Sequence, residues 1–68
     1  MPQGTVKYWR TDKGFGFIKP DDGPDIFVHI SSVTDESVVE LREGQRVAFD
    51  ERISKRNGKP EAFDVVVL

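Results

Sequence analysis

The chain has 68 residues, of which 37% are apolar, with six glycines and a net charge of −2. A chain of this length forms one domain, residues 1–68, that buries only about 60% of its unfolded surface, so it has no aliphatic side chains to spare. The absence of cysteine excludes disulfides and thiolate metal sites, and a single histidine excludes a histidine-rich metal centre, so no cofactor is expected.

The charge is unevenly spread. Residues 1–19 carry +3, residues 20–51 carry −7 and residues 52–68 carry +2. The middle is acidic and both ends are basic, so a modest negative sum does not exclude a polyanionic partner. The opening MPQGTVKYWR has no apolar signal-like core, and no run reaches membrane-spanning length. A cytoplasmic location without membrane contact is the expectation.

In chain order, short segments rich in valine, isoleucine and aromatics alternate with turn residues at 20–24, Gly44 and Asn57-Gly58. They predict five strands: Gly4–Thr11, Gly14–Lys19, Asp25–Ile30, Gln45–Ile53 and Glu61–Val67. Fourteen residues separate the third and fourth strands, with a short helical turn expected near Ser31–Val33 and a loop after it. Asn57-Gly58 favours a turn with positive φ. Five antiparallel strands in so short a chain predict an all-β closed barrel, since an open sheet would leave bare edges.

Parity decides which side chains point inward. In the third strand Ile26, Val28 and Ile30 share one face, and Phe27 and His29 share the other. A buried histidine needs polar partners, so the aliphatic row takes the core and Phe27 and His29 face out. Setting Phe17 opposite Phe27 puts Phe15 opposite His29 and Lys19 opposite Asp25, pairing ring with ring and cation with anion. A one-residue slip would turn a row of side chains to the wrong face. Val6, Ile18, Ile26, Val28, Val33, Val47, Phe49, Val65 and Val67 are enough to fill a small barrel. Phe15, Phe17, Phe27 and His29 are then left as an outer cluster beside Lys7, Arg10 and Lys13. Exposed rings form a liability unless they are used. Flat rings interleaved with cations suit unpaired bases, which stack on the rings while the cations neutralise phosphates. Tyr8 and Trp9 add two more rings. Neighbours on a strand face opposite ways, and parity alone leaves open which of them is outside.

With these residues in view, the chain resembles the bacterial cold-shock proteins. KGFGFI (Lys13–Ile18) is similar to the first ribonucleoprotein motif of that family and IFVHI (Ile26–Ile30) to its second. GTVKYW before them and LREGQRVAF after them also match. RNA-recognition-motif domains carry a related motif, but place the shorter motif first and require two helices, so that reading is set aside. The resemblance implies a five-stranded antiparallel OB-fold barrel that binds single-stranded RNA and DNA, often with a pyrimidine preference. The role it implies is that of an RNA chaperone or a regulator of transcription and translation.

The contact positions that the resemblance carries over are Lys7, Tyr8, Trp9, Arg10, Lys13, Phe15, Phe17, Asp25, Phe27, His29 and Ile30. In the loop SKRNGKPEA they are Arg56, Lys59 and Pro60. Ile30 and Val38 stand where the family commonly has aromatics, which predicts a shorter stacking surface. Phe63 is unusual at its position and is read as core fill in preference to an added rim ring.

Two other classes of function compare with this one. His29, Asp25 and Ser31 lie close in sequence, but no oxyanion loop or second base accompanies them and there is little room for a pocket. No catalytic residue and no small-molecule substrate is therefore assigned. The alternative to nucleic-acid binding is a small β-barrel whose outer rings bind a protein or peptide.

Overall fold

The computed structural model describes residues 2–34 and 40–68. Its strands are β1 (Gln3–Arg10), β2 (Phe15–Pro20), β3 (Ile26–His29), β4 (Arg46–Ile53) and β5 (Pro60–Val67), closed into a barrel in the order β1-β2-β3-β5-β4. The expected strands are all present, with ends moved by a residue or so. The barrel is the expected five-stranded one: its strands pair antiparallel except where β3 meets β5 in parallel at Phe27 and Glu61, and Val33 after β3 adds a parallel bridge to Val65. A 3-10 turn at Ile30–Ser32 follows β3. The expected loop after it, Val38 included, falls largely on residues 35–39, outside the described residues.

Turn chemistry sets the corners. Gly14 adopts φ +72° and donates its N–H to the Arg10 carbonyl at 2.8 Å, turning β1 into β2. Gly58 adopts φ +71° in the Asn57-Gly58 turn, as expected for that dipeptide. Pro60 opens β5, where its missing N–H breaks no central ladder.

The inner wall is aliphatic. Val6, Ile18, Ile26, Val28, Val47, Phe49 and Val65 are fully or almost fully buried, joined by Leu41 and Ala62, with Val33 and Val67 half-buried against them. Burial of this kind contributes about 25 cal/mol per Å² of apolar surface and supplies most of the drive to fold. Ile30 departs from the aliphatic row of β3. The 3-10 turn starts there, leaving its side chain half-buried at the edge of the core.

Two bulges reset the alternation of faces. In β1 the register passes from Val6 opposite Ile18 directly to Tyr8 opposite Phe17, so Lys7 is an extra residue. Tyr8 therefore faces out and Trp9 faces in, where it is 9% exposed and belongs to the core. Gly16 lies opposite Trp9, and a Cβ there would sit 2.9 Å from the Trp9 ring and run into the Tyr8 carbonyl oxygen. In β5 the extra residue is Asp64, at φ +51°, in the left-handed region that aspartate tolerates better than most residues. Phe63 then lies half-buried outside the core cluster, which corrects the expectation that it fills the core.

Arg46 fastens the closure of β1 against β4. It binds both carboxylate oxygens of Asp21, at 2.7 and 2.8 Å, and also reaches Gln3 and Thr5. The guanidinium holds the Asp21 carboxyl below its ordinary range, mainly through these hydrogen bonds.

Candidate nucleic-acid interface

β2 and β3 alternate without interruption, so their outward residues fall in register. Phe17 pairs with Phe27 and Phe15 with His29, as the parity argument predicts. The bulge at Lys7 adds Tyr8 to the same side, opposite Phe17. Ring centroids lie 6.4 Å apart for Tyr8 and Phe17, 5.9 Å for Phe17 and Phe27, and 5.7 Å for Phe15 and Phe27. The four rings form one continuous patch. Tyr8 and Phe17 are each 39% exposed, and Phe15 and Phe27 are half-buried by their neighbours. The rings support one another edge to face or tilted, so faces and edges stay accessible without loss of packing.

Cations surround the patch in two states. Lys7 binds Asp25 at 2.8 Å, and Arg10 binds Asp12 at 2.9 Å and reaches the Tyr8 hydroxyl at 3.4 Å. The Asp12 carboxyl is held down chiefly by the hydrogen bond from Arg10. Lys13, Lys55, Arg56 and Lys59 are exposed and form no ion pair among the described residues. The expected Lys19–Asp25 pair is replaced. Asp25 turns to Lys7, and the Lys19 ammonium instead donates to the Pro20 and Gly23 carbonyls of the hairpin tip, at 3.2 and 3.1 Å.

The loop from β4 to β5 is built to hold its cations. Ser54 is buried; its N–H donates to the Lys59 carbonyl, its carbonyl accepts from Gly58 and its hydroxyl accepts from the Arg56 N–H. The Asn57 side chain accepts from the Lys59 N–H at 3.0 Å. This framework places the Arg56 guanidinium 5.9 Å from the centre of the Phe27 ring. Phe17, Phe27, Arg56, Lys59 and Pro60 line a cleft of about 300 Å³ beside the patch, with Asp25 at its edge.

His29 sits at the far end. Its Nδ1 accepts the Ser31 backbone N–H at 3.1 Å, so the ring proton belongs on Nε2, and the Ser31 hydroxyl donates to the same Nδ1 at 2.9 Å. These contacts cap the 3-10 turn and fix the ring plane. Asp25 is taken by Lys7, so Asp25, His29 and Ser31 are not brought into one relay.

The structure thus brings Tyr8, Phe15, Phe17, Phe27, His29, Arg56, Lys59 and Pro60 around one surface, with Lys7, Arg10, Lys13 and Asp25 exposed. Two of the expected contact residues lie elsewhere. Trp9 is in the core because of the bulge, and its buried Nε1 has no hydrogen-bond partner among the described residues. Ile30 packs against the core edge. Arg52 is not among the expected contact residues, although a hairpin centred on Asn57-Gly58 sets it opposite Glu61, and Phe63 is expected only as core fill. Their geometry places the Arg52 guanidinium 5.0 Å over the Phe63 ring.

Comparison with known proteins agrees with this geometry. Residues 2–68 match the family described as the 'Cold-shock' DNA-binding domain. Cold shock protein 1 of Lactiplantibacillus plantarum is 48% identical over 66 residues, covering 97% of each chain. Cold shock protein 2 of the same organism is 46% identical over 65 residues, covering 96% of each. The major cold shock protein of Streptococcus pyogenes serotype M1 is 43% identical over 68 residues, covering all of this chain and 98% of that one.

Proposed function

This chain belongs to the cold-shock domain family, and from that premise we propose that it binds single-stranded RNA and DNA by stacking bases on Tyr8, Phe17, Phe27, Phe15 and His29. One observation carries the reading. The core is complete without these rings, yet they are held together in register on the outside of the barrel. Each base stacked on an aromatic side chain contributes about 1–3 kcal/mol, whatever its sequence. Duplex bases are already stacked on each other, so the surface selects open strands. Lys13, Arg56 and Lys59, with Lys55, neutralise phosphates along the path.

The consequence is a shift of populations. A protein that binds the open strand and not the duplex moves RNA toward the open form by mass action, without turnover of a substrate. This suits an RNA chaperone or a regulator of transcription and translation in the cytoplasm.

Trp9 is buried and is a poor reporter of stacking, so the test uses anisotropy of labelled oligo-U, oligo-C and oligo-A. Binding is expected at low salt, tightest for the pyrimidine strands. With about four phosphate-contacting cations, the log–log salt slope should be about −3. No binding at tens of micromolar protein would overturn the proposal.

A further inference from the structure

The outward row does not end at Phe27. Registers across the barrel run from Tyr8 to Phe17, from Phe17 to Phe27, from Phe27 to Glu61 and from Glu61 to Arg52. Two strand spacings, about 10 Å, separate Phe27 from Arg52. At the end of this row Arg52 is clamped from two sides. Its Nε donates to Glu61 at 2.9 Å, and its guanidinium lies over the Phe63 ring with 5.0 Å from Cζ to the ring centre. The side chain is nonetheless 57% exposed.

Arg52 also borders a groove of about 520 Å³. His29, Ser31, Lys55, Arg56 and Glu61 line it as well. Ile53, 63% exposed, adds an apolar rim. The Glu61 charge is met by Arg52, and Lys55 and Arg56 form no ion pair among the described residues.

We propose that Arg52, held over Phe63, is a further nucleotide subsite that lengthens the bound strand beyond His29, across β5 and onto β4. A guanidinium plane stacks on a base as an aromatic ring does. This one is already fixed by Glu61 and Phe63, so little side-chain freedom is lost when a base lands on it. Lys55 and Arg56 meet the phosphate of the added nucleotide in the groove. The clamp depends on the bulge at Asp64, which turns Phe63 out of the core and under Arg52.

The inference rests on the single-strand reading above, and a length series separates the two. Labelled oligothymidylates of four to ten nucleotides are titrated with the wild-type chain, with Arg52→Ala and with Arg52→Lys, after thermal melts show that each variant is folded. Wild-type affinity should stop rising at a length one or two nucleotides greater than in Arg52→Ala. The eight-mer should weaken by about five- to thirtyfold in Arg52→Ala, while the four-mer changes less than about twofold. Arg52→Lys keeps the charge but not the plane, and should recover only a small part of the loss. Equal weakening at every length, full recovery in Arg52→Lys, or an unchanged length profile would overturn the subsite while leaving the main platform intact. If the wild-type chain binds no oligothymidylate of any length, the single-strand reading falls and the subsite falls with it.

Discussion

The wall formed by β1, β2 and β3 has two sides that differ in kind. Inside, Val6, Ile18, Ile26 and Val28 pack with Trp9 into a core sealed from solvent. Outside, Tyr8, Phe15, Phe17 and Phe27 form an aromatic patch bordered by cations and flanked by His29. Aliphatic side chains fill volume closely and have no polar atoms to satisfy. Rings offer flat faces whose attraction for bases depends on access. Adjacent residues such as Phe27 and Val28 thus lie on opposite sides of the wall, and under the proposed function they serve different tasks.

The largest test of this division lies on the inner side. Phe49 is fully buried. Phe49→Ala should cost about 3–5 kcal/mol, a large share of the stability of so small a domain. Thermal unfolding should show a midpoint lower by more than about 10 °C. An unchanged midpoint would mean that the core is not where it is described.

A smaller effect sharpens the comparison at its most ambiguous point, the Tyr8-Trp9 pair. Tyr8→Ala should weaken oligo-U binding by about fivefold or more, since it removes one stacking face. Trp9→Phe should leave affinity within about twofold and act on stability alone. Equal losses of affinity would place both rings at the interface and contradict the bulge at Lys7.

The smallest effect concerns the seam between β1 and β4, away from the rings. Arg46 holds Asp21 below its ordinary value of 3.8, so the folded value is the lower one. The contribution of the pair is present above about pH 4 and fades as pH falls through the depressed value. Carbon NMR of the Asp21 carboxyl should show a midpoint below 3.8, returning toward 3.8 in Arg46→Ala. The pair is solvent-exposed, so the accompanying change in stability is small.

How much could be read from residues alone follows the bulges. The β2–β3 hairpin was legible because both strands alternate cleanly, and the register that matches Phe17 with Phe27 also matches Phe15 with His29. Most of the aliphatic core followed from the same parity. Trp9 could not be placed, because an extra residue at Lys7 reverses parity and leaves no compositional mark. Phe63 was misplaced for the same reason, through Asp64. Charge pairing was the least legible. Register sets Lys19 across from Asp25, but long flexible side chains choose among neighbours on adjacent strands, and Asp25 is held by Lys7 from β1.

The central claim is the division of labour across the wall, and the neighbouring residues Phe27 and Val28 test it most directly. Phe27→Ala and Val28→Ala are compared in one experiment that measures both the thermal midpoint and the affinity for oligo-U. Phe27→Ala should weaken binding by about fivefold or more with little change in midpoint. Val28→Ala should lose about 1–3 kcal/mol of stability while the folded protein binds as before. If Phe27→Ala instead collapses the fold, or leaves affinity untouched, the outer rings are not the binding surface and the account is wrong.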